Sequence, residues 1–155
     1  MITRRAFVAQ TAGLVAAATG AHRLLGQPVA SPTPITVYKS ASCGCCAKWV
    51  DHLRANGFAP TVHDEEGMDA IKDRLGVPSD MRSCHTAQLD RYVIEGHVPA
   101  ADLRRLLKER PAIAGLAAPG MPASGPGMAV PGEPLEPYDV LAFGRDGKST
   151  TFAKH

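Results

Sequence analysis

The 155-residue sequence has no block of basic residues, no cluster of aromatic residues and no internal repeat. Each absence removes a class of function. A formal net charge of +2, with Lys and Arg scattered along the chain, is too small to grip a phosphate backbone. Aromatic residues make up only 5% of the chain, and no aromatic neighbour accompanies Trp49 to build a stacking platform. The apolar run from Thr11 to Ala21 falls short of the ~20 residues that a membrane-spanning helix needs. What is present, 45% hydrophobic and 21% charged residues, describes a globular chain with one modest core. Cysteine is scarce as well, at four residues, yet three of the four fall within four positions in "YKSASCGCCAKWV".

The amino terminus, "MITRRAFVAQTAGLVAAATGA", sets Arg4 and Arg5 ahead of Phe7 and then runs through small and apolar residues with no further charge until Arg23. That order is the pattern of a twin-arginine export signal, and the Pro-rich stretch "QPVASPTP" follows as a spacer. Residues 1–30 are therefore expected to be signal and spacer, cleaved between Ala21 and Ala30, and 35–153 to be the folded domain. The expected destination is the bacterial periplasm, reached through the twin-arginine machinery, with no stable membrane insertion after processing. In that oxidising space free thiols close into disulfides unless a metal or a reductant holds them.

Along the domain, "ITVYKS" (35–40) has the β-branched and aromatic residues of a strand and leads straight into the cysteines. A helix is expected from about Cys46 to Asn56, with Trp49, Val50 and Leu53 on one face and Gly57 at its end. "FAPTVHDEE" offers a second strand, and "GMDAIKDRLGVP" a second helix stopped by Gly76 and Pro78. A loop holding Cys84 and His85 precedes two short strands near 86–89 and 92–95, and "PAADLRRLLKERP" forms the clearest helix. Between Gly115 and Pro137, five glycines and six prolines argue for a plain irregular loop. "YDVLAFGRDGKSTTF" closes the chain as a hairpin. This order is that of a thioredoxin-like α/β sandwich, a small mixed sheet with flanking helices and a C-terminal hairpin.

Cys43 and Cys46 have the spacing of a redox Cys-x-x-Cys pair at a helix amino terminus, where partial positive charge favours thiolates. Cys45 is surplus to such a pair. A single tetrahedral zinc suits the pattern poorly, because adjacent residues point their side chains apart and zinc sites are usually built from two separated pairs. An iron-sulfur cluster meets the same difficulty. Structural disulfides would leave at least one thiol too close to its neighbours. Copper(I) is soft, accepts two or three thiolates and lets one sulfur bridge neighbouring ions, so crowded cysteines can hold one ion or a multinuclear cluster.

The segments "YKSASCGCCAKWVDHLRANGF", "LGVPSDMRSCHTAQLDRYVIEGHVPAADLRRLL" and "GLAAPGMPASGPGM" together resemble the periplasmic copper-resistance proteins called CopG, a predicted metal-binding family of unknown function. The likeness runs from Ile35 to about Phe152. It implies a thioredoxin-like fold and copper bound through a Cys-x-Cys-Cys motif and a later cysteine, which here are Cys43, Cys45, Cys46 and Cys84. It implies copper ions as the ligand, with other periplasmic copper-handling proteins as partners, more firmly than any enzymatic reaction. The alternative is a thiol-disulfide or copper oxidoreductase cycling Cys43 and Cys46. His85, beside Cys84, is a candidate to ligate or to support a ligand, and Met121 and Met128, both in "PGM", are candidate auxiliary thioethers. His52, His63, His97 and His155 have no cysteine neighbour in sequence and are expected to be surface or structural residues.

Overall fold

Alternation in "TPITVYK" makes a half-buried strand: Ile35, Val37 and Lys39 turn inward, and Pro34 faces solvent. In the computed structural model, which describes residues 31–132 and 134–155, this segment is β1 (Thr33–Lys39). The twin-arginine segment expected over residues 1–30 lies outside the described residues. Helix α1 (Gly44–Ala55) follows the cysteine loop and buries Cys46, Trp49, Val50 and Leu53, a spacing of i, i+3, i+4 and i+7 that puts all four on one face. It starts two residues earlier than the apolar pattern predicts, because Gly44 and Cys45 belong to its first turn but not to its buried stripe.

β2 (Phe58–Asp64) pairs parallel with β1, as a strand-helix-strand crossover requires. Helix α2 (Met68–Leu75) ends at Gly76, whose φ of +72° is the left-handed cap that glycine adopts freely. A 3₁₀ turn (Ser79–Met81) leads to β3 (His85–Leu89), antiparallel to β1, and then β4 (Tyr92–Glu95). Helix α3 (Ala100–Glu109) begins just after Pro99. β5 (Gly115–Ala117), β6 (Asp139–Phe143) and β7 (Ser149–Lys154) complete a seven-stranded sheet in the order β2-β1-β3-β4-β5-β6-β7.

The register decides which helices cover which face. Val37 lies opposite Ala87, Ala87 opposite Ile94, and Ile94 beside Leu116, so these side chains share one face. They pack with Trp49, Val50 and Leu53 of α1 and Leu103 and Leu106 of α3 in the main core. The opposite face carries Thr86, Glu95, Ala117 and Phe143 and receives Lys72 of α2 and the Val77–Met81 segment. The fold is thus a thioredoxin-like sandwich with helices on both sides of a mixed sheet.

β5 is the departure from the sequence reading. Its three residues, all buried, belong to the Gly- and Pro-rich segment expected to be irregular throughout. Three residues are too few to show a period, and pairing parallel to β4 and antiparallel to β6 identifies them. Through β5 the C-terminal hairpin joins the main sheet.

Candidate metal centre

The centre lies where the amino end of α1 meets the loop entering β3. Cys43 is the N-cap of α1, and no side chain caps the helix there. Free backbone amides of the first turn therefore lie beside the thiols, the environment that favours anionic sulfur. Cys46 is fully buried under the helix, whereas Cys45 is half-buried in the first turn. Cys43 and Cys46 form a disulfide, and Cys45 and Cys84 are free. The Cys45 sulfur is 3.4 Å from that of Cys43, and the Cys46 sulfur is 3.9 Å from the Cys84 carbonyl oxygen. All four sulfurs lie within 4.8 Å of one another, so Cys84, 38 residues beyond Cys46, joins the motif in space.

Cys84 is held by a network on the α2 face. Glu95, fully buried, accepts from Lys72 Nζ at 2.5 Å, from Thr86 Oγ1 at 2.7 Å and from the Ser83 backbone amide at 2.6 Å. The last of these fixes the residue immediately before Cys84. Burial pushes the Glu95 carboxyl up, and the Lys72 ammonium opposes that rise. On the other flank Gly96, with φ of +71°, has its Cα so close to Ser83 and the Ala118 carbonyl that a Cβ would meet them at 2.6–2.7 Å. Only glycine fits this approach.

Two imidazoles face the Cys84 sulfur: His85 Nδ1 at 3.3 Å and His97 Nε2 at 3.1 Å. The His85 ring is fully buried, tilted against Trp49 with centroids 4.3 Å apart and edge-on to His97 at 4.8 Å. Trp49, expected to be core, is core, and its indole N–H donates to the Val98 carbonyl at 2.9 Å. Burial lowers the pKa of both histidines, that of His85 well below the ordinary value, so both are neutral. Burial, then the neighbouring Cys45, pushes the Cys84 thiol up to about 11. A metal ion taken at Cys84 must therefore displace a proton.

His97 was not legible as a site residue, since its partner lies 13 positions away. The signal that finds it is the β-hairpin: β3 and β4 run antiparallel, so the residues just outside each strand end, Cys84 and His97, return to the same place. The segment expected to be a plain loop also reaches the centre. Pro126 accepts from His97 Nδ1 at 2.8 Å, and Gly127, with φ of +85°, lies so close to α1 that a Cβ would meet the Trp49 amide nitrogen at 2.8 Å and the Cys45 carbonyl at 3.0 Å. Residues 122–128 are therefore a strap laid across the amino end of α1. Met128 is half-buried in that strap, and Met121, 61% exposed, walls a cleft of about 370 Å³ that also borders Cys84.

The donor set is soft: four sulfurs, with two neutral imidazoles behind one of them. It fits copper(I), which prefers thiolate at low coordination number, better than a hard cation that needs carboxylate oxygens. Among the described residues no helix is long and apolar enough to cross a membrane.

Comparison with known proteins agrees with this geometry. The family described as a protein of unknown function, DUF411, matches residues 81–128, the span that holds Cys84, His85, His97 and the strap. No curated protein matches. Two solved structures, of copper resistance protein CopG in its forms 1 and 2, are each 47% identical to the chain, cover 80% of it and 98% of their own length, and superpose with a TM-score of 0.75. The chain belongs to the CopG family of copper-resistance proteins.

Proposed function

We propose that the protein is a periplasmic copper(I)-binding protein that sequesters or passes on copper through the thiolates of Cys43, Cys45, Cys46 and Cys84. The observation that carries this reading is the convergence of all four sulfurs within 4.8 Å at an uncapped helix end. Four thiolates that close can bridge ions, so the reduced protein takes more than one copper(I) per chain. Membership of a copper-resistance family supports the cargo. The Arg4–Arg5 pair supports twin-arginine export, and its replacement by two lysines is expected to retain the precursor in the cytoplasm.

Anaerobic copper(I) titration of the reduced protein, followed by metal analysis, tests the binding. Cys84→Ser lowers the number of ions or weakens them sharply, because a hydroxyl is a hard, poor substitute for thiolate. One tightly held zinc that copper does not displace would overturn the reading. A second reading, thiol-disulfide or copper oxidoreduction, is favoured by one observation: Cys43 and Cys46 are joined in a disulfide. Closing that bond releases two electrons, which two copper(II) ions accept as they become copper(I), and removes two of four thiolate donors, so the two readings meet in a redox-controlled release of copper. Disulfide-reductase activity measured beside copper stoichiometry separates them.

A further inference from the structure

The Cys43–Cys46 disulfide leaves two cysteines over, and the fold does not hold them apart. Cys45 and Cys84 are both half-buried and both free, and their sulfurs lie within 4.8 Å of each other. We propose that these two close a second disulfide, so that the chain cycles over four electrons rather than two and its fully oxidised form ties the first turn of α1 to the loop entering β3.

This pairing answers the objection that spacing raises. Along the chain, three cysteines in four positions leave one without a partner of suitable geometry. In space, Cys46 turns under α1 into the core and pairs with Cys43, while Cys45 stays outside the buried stripe and meets Cys84. The backbone at Cys84 is fixed: the Ser83 amide donates to Glu95 at 2.6 Å, the Ser83 hydroxyl donates to the Gly120 carbonyl, and Ser83 forms a bridge with Gly120. The Cys84 sulfur is therefore presented to Cys45 at one place, and exchange between them is intramolecular, at high effective concentration.

A proton acceptor stands beside the attacking thiol. The Pro126 carbonyl can only accept, so His97 Nδ1 carries the proton of their 2.8 Å bond, and Nε2, 3.1 Å from the Cys84 sulfur, is bare. The oxidant is a disulfide, of a small thiol or of a partner protein. Cys45, beside the free amides of the first turn, attacks one of its sulfurs: a Cys45–oxidant bond forms, the oxidant's own sulfur–sulfur bond breaks, and one thiolate leaves. The Cys84 thiol gives its proton to His97 Nε2, attacks the Cys45 sulfur and expels the second thiolate, and the two departing thiolates take up the protons that Cys45 and Cys84 lost. Two thiols are thus oxidised to one disulfide as one disulfide is reduced to two thiols. The consequence for copper rests on the copper(I) reading: the first bond halves the thiolate set and the second removes it, so release has two stages.

Metal-free, fully reduced protein is treated with oxidised glutathione, quenched at intervals with a maleimide in denaturant, and analysed by mass spectrometry. The number of labels is expected to fall from four to two and then to none, with no glutathione retained. Trypsin is then expected to leave the peptide Ser40–Lys48 joined to the peptide Ser83–Arg91. In Cys45→Ser that link is lost, and Cys84 keeps either its label or one glutathione. A count that stays at two, glutathione held on Cys45 or Cys84 of the unaltered protein, or a peptide link that survives in Cys45→Ser would overturn the proposal. No copper is present, so failure of the reduced thiolates to take copper(I) leaves the second disulfide standing, and its absence leaves the copper(I) reading intact.

Discussion

Cys46 and Cys84 reach the same corner of the molecule by opposite routes. Cys43, Cys45 and Cys46 are brought together by a few peptide bonds and one helical turn, so their proximity is local and needs only the start of α1. Cys84 and His97 meet through the β3–β4 hairpin, with Ser83 held by the buried Lys72–Glu95 pair and His97 by the strap. The local half should tolerate substitution in its own loop. The assembled half should fail when distant supports are removed.

The largest effect is expected from Lys72→Met. It leaves the fully buried Glu95 carboxylate without its cation, a change that costs about 3–5 kcal/mol. Urea denaturation at neutral pH measures it, and Lys72→Met with Glu95→Leu is expected to recover most of the loss, since both charges are then gone. Equal stability of Lys72→Met and the natural protein would show that the assembled half does not depend on this pair.

Gly127→Val comes next. A side chain at φ of +85°, pressed on the Trp49 amide and Cys45 carbonyl, must lift the strap, for a loss of about 1–3 kcal/mol. The His97 Nδ1 proton resonance should lose its hydrogen-bonded shift in this variant, while the Cys43–Cys46 disulfide still closes.

Acid should act on the assembled half as well. His85 and His97 have folded pKa values below the ordinary 6.5, so below that pH the unfolded chain binds more protons than the folded one. Stability is therefore full above about pH 6.5 and falls as pH drops, by roughly 1.4 kcal/mol per pH unit for each histidine that stays neutral in the fold. Denaturation midpoints at pH 7 and pH 5.5 test the slope, and His85→Phe should flatten it.

The smallest effect belongs to the local half. Cys45 is half-buried in the first turn of α1, and Cys45→Ser is expected to change stability by no more than about 0.5 kcal/mol. Copper(I) stoichiometry of the reduced protein should nevertheless fall. A large change in denaturation midpoint for this variant would erase the contrast between the two halves.

The strands and helices that position the site were legible wherever the residues repeat with a period, as Ile35 and Val37 do in β1 and Leu103 and Leu106 in α3. Cys43, Cys45 and Cys46 announced themselves by spacing, and Cys84 by the resemblance. His97, the strap and β5 did not. A hydrogen bond across 29 residues to a proline carbonyl has no sequence pattern, because any residue can offer that oxygen.

The sequence by itself determined the order of the periodic elements, the crowding of thiols at a helix start and the surplus of soft ligands over what one disulfide needs. Those properties follow from side-chain chemistry and from neighbours along the chain. Only the tertiary structure decided that His97 joins His85 in facing Cys84, and that a Gly- and Pro-rich segment closes over α1 rather than trailing in solvent. Those outcomes depend on strand register and on the close approach of backbones distant in sequence, and a one-dimensional pattern carries neither.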